Sequence, residues 1–174
     1  GTTSRGLGDV YKRQDPVVIV GDPTRNETDP GTVRLRNINS TSFEIRLQEP
    51  NHLSQDHAAE QVSYLVAESG EWQLNDGTKI QVGKVNSNKL SSKGFETVSF
   101  SESFSNTPAV LTQIQTFAGN DYAITRTDEI TGEQFKLTMQ EEEKNNKGGH
   151  ARESIGWIAI DSGIGNDGDT VLEA

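Results

Sequence analysis

Residues 57–70 read HAAEQVSYLVAESG, and residues 150–163 read HARESIGWIAIDSG. His57 returns as His150, Glu60 as Glu153, Tyr64 as Trp157, and Ser69-Gly70 as Ser162-Gly163. Upstream, residues 16–49 fall on 108–141 without a gap. Pro16 matches Pro108, Val18 Val110, Thr24 Thr116, Asp29 Asp121, Arg34 Arg126, Ile38 Ile130, Phe43 Phe135, Gln48 Gln140 and Glu49 Glu141. Nine identities in the gapless span and five in the closing block, joined by exchanges such as Val62 to Ile155 and Leu65 to Ile158, establish an internal duplication.

Each copy reads as β-strands. PVVIV (16–20) and PAVLTQIQTF (108–117) are β-branched runs that begin at a proline, where strands commonly start. FEIRLQE (43–49) alternates, placing Phe43, Ile45 and Leu47 on an inward face, and FKLTMQE (135–141) does the same with Phe135, Leu137 and Met139. The closing run differs, because Leu65 and Ala67 are apolar on the face opposite Tyr64 and Val66, as are Ile158 and Ile160 in copy two. A strand apolar on both faces is central in a layered structure or lies at a subunit interface. NST before Phe43, TGEQ before Phe135 and the Asp-Gly of LNDGTKI (74–80) mark hairpin connections. No long segment has helical periodicity, so the expected fold is all-β, two tandem small antiparallel β-sandwiches.

Thr2–Gln14, TTSRGLGDVYKRQ, resembles translated sequencing-adapter read-through, which sets residues 1–14 apart as a non-native leader. The first repeat with its exit hairpin is then expected at 15–83, a Ser/Asn/Lys-rich linker at 84–93, the second repeat at 94–163 and the start of a further hairpin at 164–174. Copy two is preceded by FETVSFSESFSNTP (95–108), a strand region that copy one lacks, so the first sandwich is expected to be truncated at its N-terminus. A net charge of −10 over 174 residues argues against nucleic-acid and anionic-membrane partners, which need basic patches. There is no cysteine, which excludes disulfides and thiolate metal sites, and no apolar run reaches the length of a membrane span.

The segment VSFSESFSNTPAVLTQIQT, the Arg126-to-Phe135 spacing, the alternating strand and the closing IGWIAI together resemble the H-type lectin family, in its tandem version from bacterial cell-surface and secreted proteins. Copy one contributes PVVIV, Arg34, Phe43, FEIRLQ and VSYLVA to the same pattern. The resemblance implies a six-stranded sandwich, a homotrimer or repeat–repeat association, and binding of galactose- or N-acetylgalactosamine-type glycans. It implies no catalysis, cofactor or metal, and an extracellular or cell-surface location. The Trp-His pair of the family falls on Pro50-Asn51 and Glu142-Glu143, and a sugar-contacting arginine falls on Pro30 and Tyr122.

The candidate ligand-binding set is Asp121, Tyr122, Arg126, Gln140, Glu141, Glu143, His150 and Glu153 in copy two, with Asp29, Arg34, Gln48, Glu49, Asn51, His57 and Glu60 in copy one. Carboxylates and amides accept hydrogen bonds from sugar hydroxyls, imidazole donates or accepts, and an exposed Tyr122 ring can stack on a sugar face. The alternative role is structural: Glu49 and Glu141 continue the inward parity of their strands and pair with Arg34 and Arg126, while His and Glu anchor a long loop. Metal binding by His-x-x-Glu is disfavoured, because i,i+3 residues share a face in a helix but not in a strand. DSGIGNDGDT (161–170) resembles a calcium loop, yet it aligns more simply with the exit hairpin after Ser69-Gly70. The expected function is non-enzymatic carbohydrate binding, and the alternative is a structural or adhesive repeat that spaces or oligomerises without a ligand.

Overall fold

Both proline-led runs become strands, β1 at Pro16–Val20 and β8 at Ala109–Ile114. The computed structural model describes residues 14–142, 148–166 and 171–173, which are all-β apart from one 3-10 turn at Ser91–Lys93. Copy one continues with β2 (Thr32–Arg36), β3 (Glu44–Gln48) and β4 (Tyr64–Glu68), then the exit hairpin β5 (Gly70–Gln73) and β6 (Lys79–Ser87). Copy two adds β7 (Glu96–Ser99) before β8, then β9 (Ala123–Asp128), β10 (Gln134–Glu141) and β11 (Glu153–Ile160). A last hairpin pairs β12 (Ile164–Asn166) with β13 (Val171–Glu173). Residues 1–13 of the adapter-like leader lie outside the described residues, as does Glu143 of the candidate set. No helix among the described residues is long and apolar enough to cross a membrane.

Strand register shows the duplication in three dimensions. β1 pairs β4 with Val17 opposite Ala67 and Ile19 opposite Leu65; β8 pairs β11 with Ala109 opposite Ile160 and Leu111 opposite Ile158. β2 pairs β3 with Arg34 opposite Arg46, and β9 pairs β10 with Arg126 opposite Thr138. Because a one-residue slip would turn every side chain to the other face, retained register means that corresponding residues occupy corresponding environments. Gly70 and Gly163, each entering its exit hairpin, also share a positive φ of 138° and 137°.

Copy two is a complete sandwich. One layer is the sheet β5-β6-β11-β8, and the other is β7-β10-β9. Phe135, Leu137 and Met139 from β10 face Ile155, Trp157 and Ala159 from β11, with Phe100 and Phe104 closing the gap. The rings meet edge-on or tilted: Phe100 to Phe104 at 4.8 Å, Phe100 to Phe135 at 5.6 Å and Phe135 to Trp157 at 5.7 Å. Burial of side chains this large contributes about 1.5–3 kcal/mol each. Gly83 permits it on β6, since a Cβ there would lie 2.6 Å from Cζ2 of Trp157.

The expected linker at 84–93 is not one. Residues 84–87 are the second half of β6, which runs antiparallel to β11 from Ile80 opposite Ile160 to Ser87 opposite Glu153. Its polar composition hides a period-two pattern in which Val85 is half-buried, Ser87 buried and Lys84 and Asn86 exposed. Leu90 also enters the copy-two core and bridges to Met139. The exit hairpin of copy one therefore supplies a central strand to the sheet of copy two.

The doubly apolar strand has a concrete explanation. The second face of β11 carries Ile158, which packs with Val82 against Val17 and Ile19 of β1 and Ala67 of β4. The two copies thus lie back to back through their closing sheets. Gly156 allows the approach, because a Cβ there would sit 2.7 Å from Cγ1 of Val17 and 2.8 Å from Cδ of Gln115. Gln115 also accepts from the Val18 N–H at 2.8 Å and donates to its carbonyl at 2.7 Å, capping the edge of β1. Trp72 is 42% exposed on the edge strand β5.

Candidate functional site

Glu153 opens β11, and its side chain is fully buried. It accepts hydrogen bonds from the hydroxyl of Thr116, from the backbone N–H of Ala118 at 3.0 Å and from that of Gly119 at 2.9 Å. His150 stands between two carboxylates, with Nδ1 2.6 Å from Glu141 and Nε2 3.3 Å from Glu153. Burial pushes the Glu153 pKa up, but the bonds from His150, Gly119, Thr116 and Ala118 outweigh it and hold the group at about 2. For His150, burial favours the neutral ring, and the bonds to Glu153 and Glu141 overcome that and raise its pKa. His-x-x-Glu meets here because His150 precedes the strand, so the opposite-face rule for strand residues does not apply to the pair.

Copy one reaches into this cup. Arg34 of β2 is buried and places Nη2 3.0 Å from Glu153, while Nη1 donates to Gln48 Oε1 at 2.8 Å and to the Asp121 carbonyl at 2.9 Å. Gln48 donates to the Asn120 carbonyl at 2.6 Å. Asn51 donates to the Asp121 carboxylate at 2.6 Å and accepts from the Tyr122 N–H at 2.9 Å. The guanidinium groups of Arg34 and Arg46 lie 4.6 and 4.4 Å from the centre of the Phe117 ring. The 116–122 loop of copy two is thereby clamped by Gln48, Asn51 and two arginines of copy one. Arg34 does not pair with Glu49, as strand parity suggested. It lies on the opposite face of β2 from Val33 and Leu35, and the acid it meets belongs to the other repeat.

The same cup recurs in copy one, with no arginine against it among the described residues. His57 Nδ1 lies 3.0 Å from Glu49, and Nε2 lies 3.5 Å from Glu60. Glu60 accepts from the hydroxyl of Thr24 and from the Asn26 N–H at 2.8 Å, as Glu153 does from Thr116 and its neighbours. The hydrogen bond to Glu49 raises the His57 pKa. Among the described residues, Asp29, Arg126 and the Tyr122 hydroxyl make no side-chain hydrogen bond or ion pair, and Arg126 is exposed.

Of the candidate set, then, Arg34, Gln48, Asn51, Asp121, Glu141, His150 and Glu153 converge on one joint, and Glu49, His57 and Glu60 form a separate cluster. Burial excludes Arg34, Gln48, Glu49, His150 and Glu153 from contact with a solvent-borne sugar. Arg46, Thr116, Phe117 and Gln115 are the partners that the sequence did not single out. The repeated Thr24/Thr116 identity was the one signal pointing to any of them. Ligand atoms of Asp121, Glu141 and His150 lie within 4.8 Å of one another, as do those of Glu27, Glu49 and His57. A doubly protonated imidazole, the form that flanking carboxylates favour, offers no lone pair to a cation. A polar groove of about 240 Å³ borders the joint, lined by Ser91, Ser92, Gln140, Glu141 and Glu142.

No protein-family model matches the chain, and no solved structure matches it. Over 147 residues, 83% of the chain, it is 37% identical to halomucin of Haloquadratum walsbyi, and the matched stretch spans 2% of that protein's length.

Proposed function

We propose that this chain is a pair of structural, non-catalytic repeats from an extracellular or cell-surface protein, and that its recurring Arg, Gln, His and Glu residues lock one repeat onto the next. The observation that carries this is the Arg34–Glu153 ion pair, in which fully buried charges come from different copies. Breaking such a pair by removing one partner is strongly destabilising, because it strands the other charge away from water. The 37% identity to halomucin supports the extracellular or cell-surface location. Amide exchange on the Arg34→Met variant tests the role. Faster exchange in 116–122 and β1, with β9–β10 unchanged, is expected; unchanged exchange at the joint would contradict it.

Carbohydrate binding of the H-type lectin kind is a second function, supported by one observation. The polar groove of about 240 Å³ presents Gln140 and Glu141, two residues of the candidate ligand-binding set. A glycan array should then show galactose- or N-acetylgalactosamine-selective binding that Gln140→Ala removes, and a flat array would eliminate it.

A further inference from the structure

Corresponding apolar residues in the two copies differ sharply in exposure. Leu137, Trp157 and Ile158 are 0%, 8% and 1% exposed, whereas Ile45, Tyr64 and Leu65 are 43%, 62% and 47% exposed. Phe43 and Tyr64 keep the edge-on contact of Phe135 and Trp157, at 5.1 Å and 76°. Beside them opens a groove of about 420 Å³, lined by Pro16, the 39–42 turn, Phe43, Tyr64 and Val66. In copy two the corresponding walls are Pro108, the 131–134 turn, Phe135, Trp157 and Ala159, and that space holds Phe100 and Phe104. The Phe104 N–H donates to the Gly132 carbonyl at 2.7 Å, and Phe100 packs on both Phe135 and Trp157.

The strand edges show the same vacancy. β11 is bonded on one side to β8 and on the other to β6, and β10 is bonded to both β9 and β7. Among the described residues, β4 pairs only with β1, and β3 only with β2. Ser63 and Ser69 bond their main chains towards β1, so by antiparallel alternation the amides of Tyr64 and Val66 point to the open edge. An unpaired edge with a row of free N–H and C=O groups is a template for a further strand.

We infer that this groove and these edges are the seat of a segment equivalent to Lys79–Thr107, delivered by a further copy of the repeat preceding copy one. Its strand would pair with β4 as β6 pairs with β11, and its two phenylalanines would fill the space between Phe43 and Tyr64. A second, independent observation points to the same partner. Among the described residues, no arginine meets the cup of Glu60, His57 and Glu49, although the matching cup of Glu153 holds Arg34 of the preceding copy. At the other end, Arg126, the counterpart of Arg34, is exposed. β12–β13 follows Ser162-Gly163 as β5–β6 follows Ser69-Gly70, so the donor strand is begun again. The inference rests on the repeat-locking function above, and the geometry then describes an array in which each repeat completes its successor.

The test is a chain in which residues 1–15 are replaced by a second Lys79–Thr107, joined directly to Pro16. A rise of several degrees in Tm and at least tenfold slower exchange of the Tyr64 and Val66 amides are expected. Both gains should vanish when the phenylalanines of the graft corresponding to Phe100 and Phe104 are serine. Equal behaviour of the two grafts would overturn the inference, while leaving the Arg34–Glu153 joint to be judged by its own variant. Should the graft not fold, the 79–107 peptide is added to the unchanged chain. Saturable binding lost in the double-serine peptide supports the seat, and binding that is absent or the same for both peptides overturns it.

Discussion

Copy one and copy two share register, turn positions and the His-Glu cup, yet one is closed and the other open. In copy two the β10 face packs under Phe100, Phe104 and the β11 residues, so every inward side chain finds a partner. In copy one the matching face of β3 ends at Ile45, and the closing strand β4 leaves Tyr64 and Leu65 in solvent. The difference lies outside the duplicated stretch itself, in the 79–107 segment that belongs to one copy by sequence order and completes the other by position. A sandwich layer is stable when both its edges and its apolar face are covered, and the duplicated residues alone cover neither.

Substitutions at paired positions should expose this asymmetry most strongly at the joint. Arg34→Ala strands a buried carboxylate and should cost about 3–5 kcal/mol in urea unfolding. Arg126→Ala, the same change in the other copy, should stay within about 0.5 kcal/mol. Next come the cores, where Leu137→Ala should lose about 2–5 kcal/mol and Ile45→Ala under about 1 kcal/mol, because only the first leaves a cavity. Similar losses at positions 137 and 45 would erase the claimed difference in closure. Gly156→Ala should cost about 1–3 kcal/mol by driving a methyl into Val17 and Gln115, whereas Ser63→Ala at the matching position in copy one should be nearly neutral.

Acid and base should separate the cups in a smaller way. Glu153, held at about 2 against an ordinary 4.5, adds stability that is present above pH 4.5 and is lost as pH falls towards 2. His150 and His57, both raised above 6.5, add stability that is full below pH 6.5 and lost as pH rises through their folded values. Unfolding midpoints should therefore plateau between about pH 4.5 and 6.5, with Glu153→Gln flattening the acid limb. A midpoint that climbs steadily from pH 5 to 9 would contradict the assignment.

Much of this was legible in the residues. Shifted identities gave the duplication, alternation gave β3 and β10, and the Asp-Gly turn gave the β5–β6 hairpin. The two-faced apolar pattern of residues 155–160 correctly required a covered second face, and the cover is the other copy. What stayed hidden depends on contacts between distant segments. KVNS at 84–87 is too polar to announce a central strand, since β11 rather than its own side chains holds it. The Arg34 partner was misassigned because strand parity describes one copy, whereas the acid comes from 119 residues away in the other. Of the candidate sugar residues, Arg34, Gln48, Asn51, Asp121, Glu141, His150 and Glu153 meet at a joint between repeats, where burial turns most of them away from solvent.

A double-mutant cycle with Arg34→Gln and Glu153→Gln measures the central claim most directly. If these residues lock one repeat to the next, the double variant should recover much of the loss from either single change, giving a coupling of about 1–3 kcal/mol. The parallel cycle at Arg126 and Glu60 should show no coupling in this chain. Additive losses at Arg34 and Glu153, within about 0.5 kcal/mol, would contradict the joint.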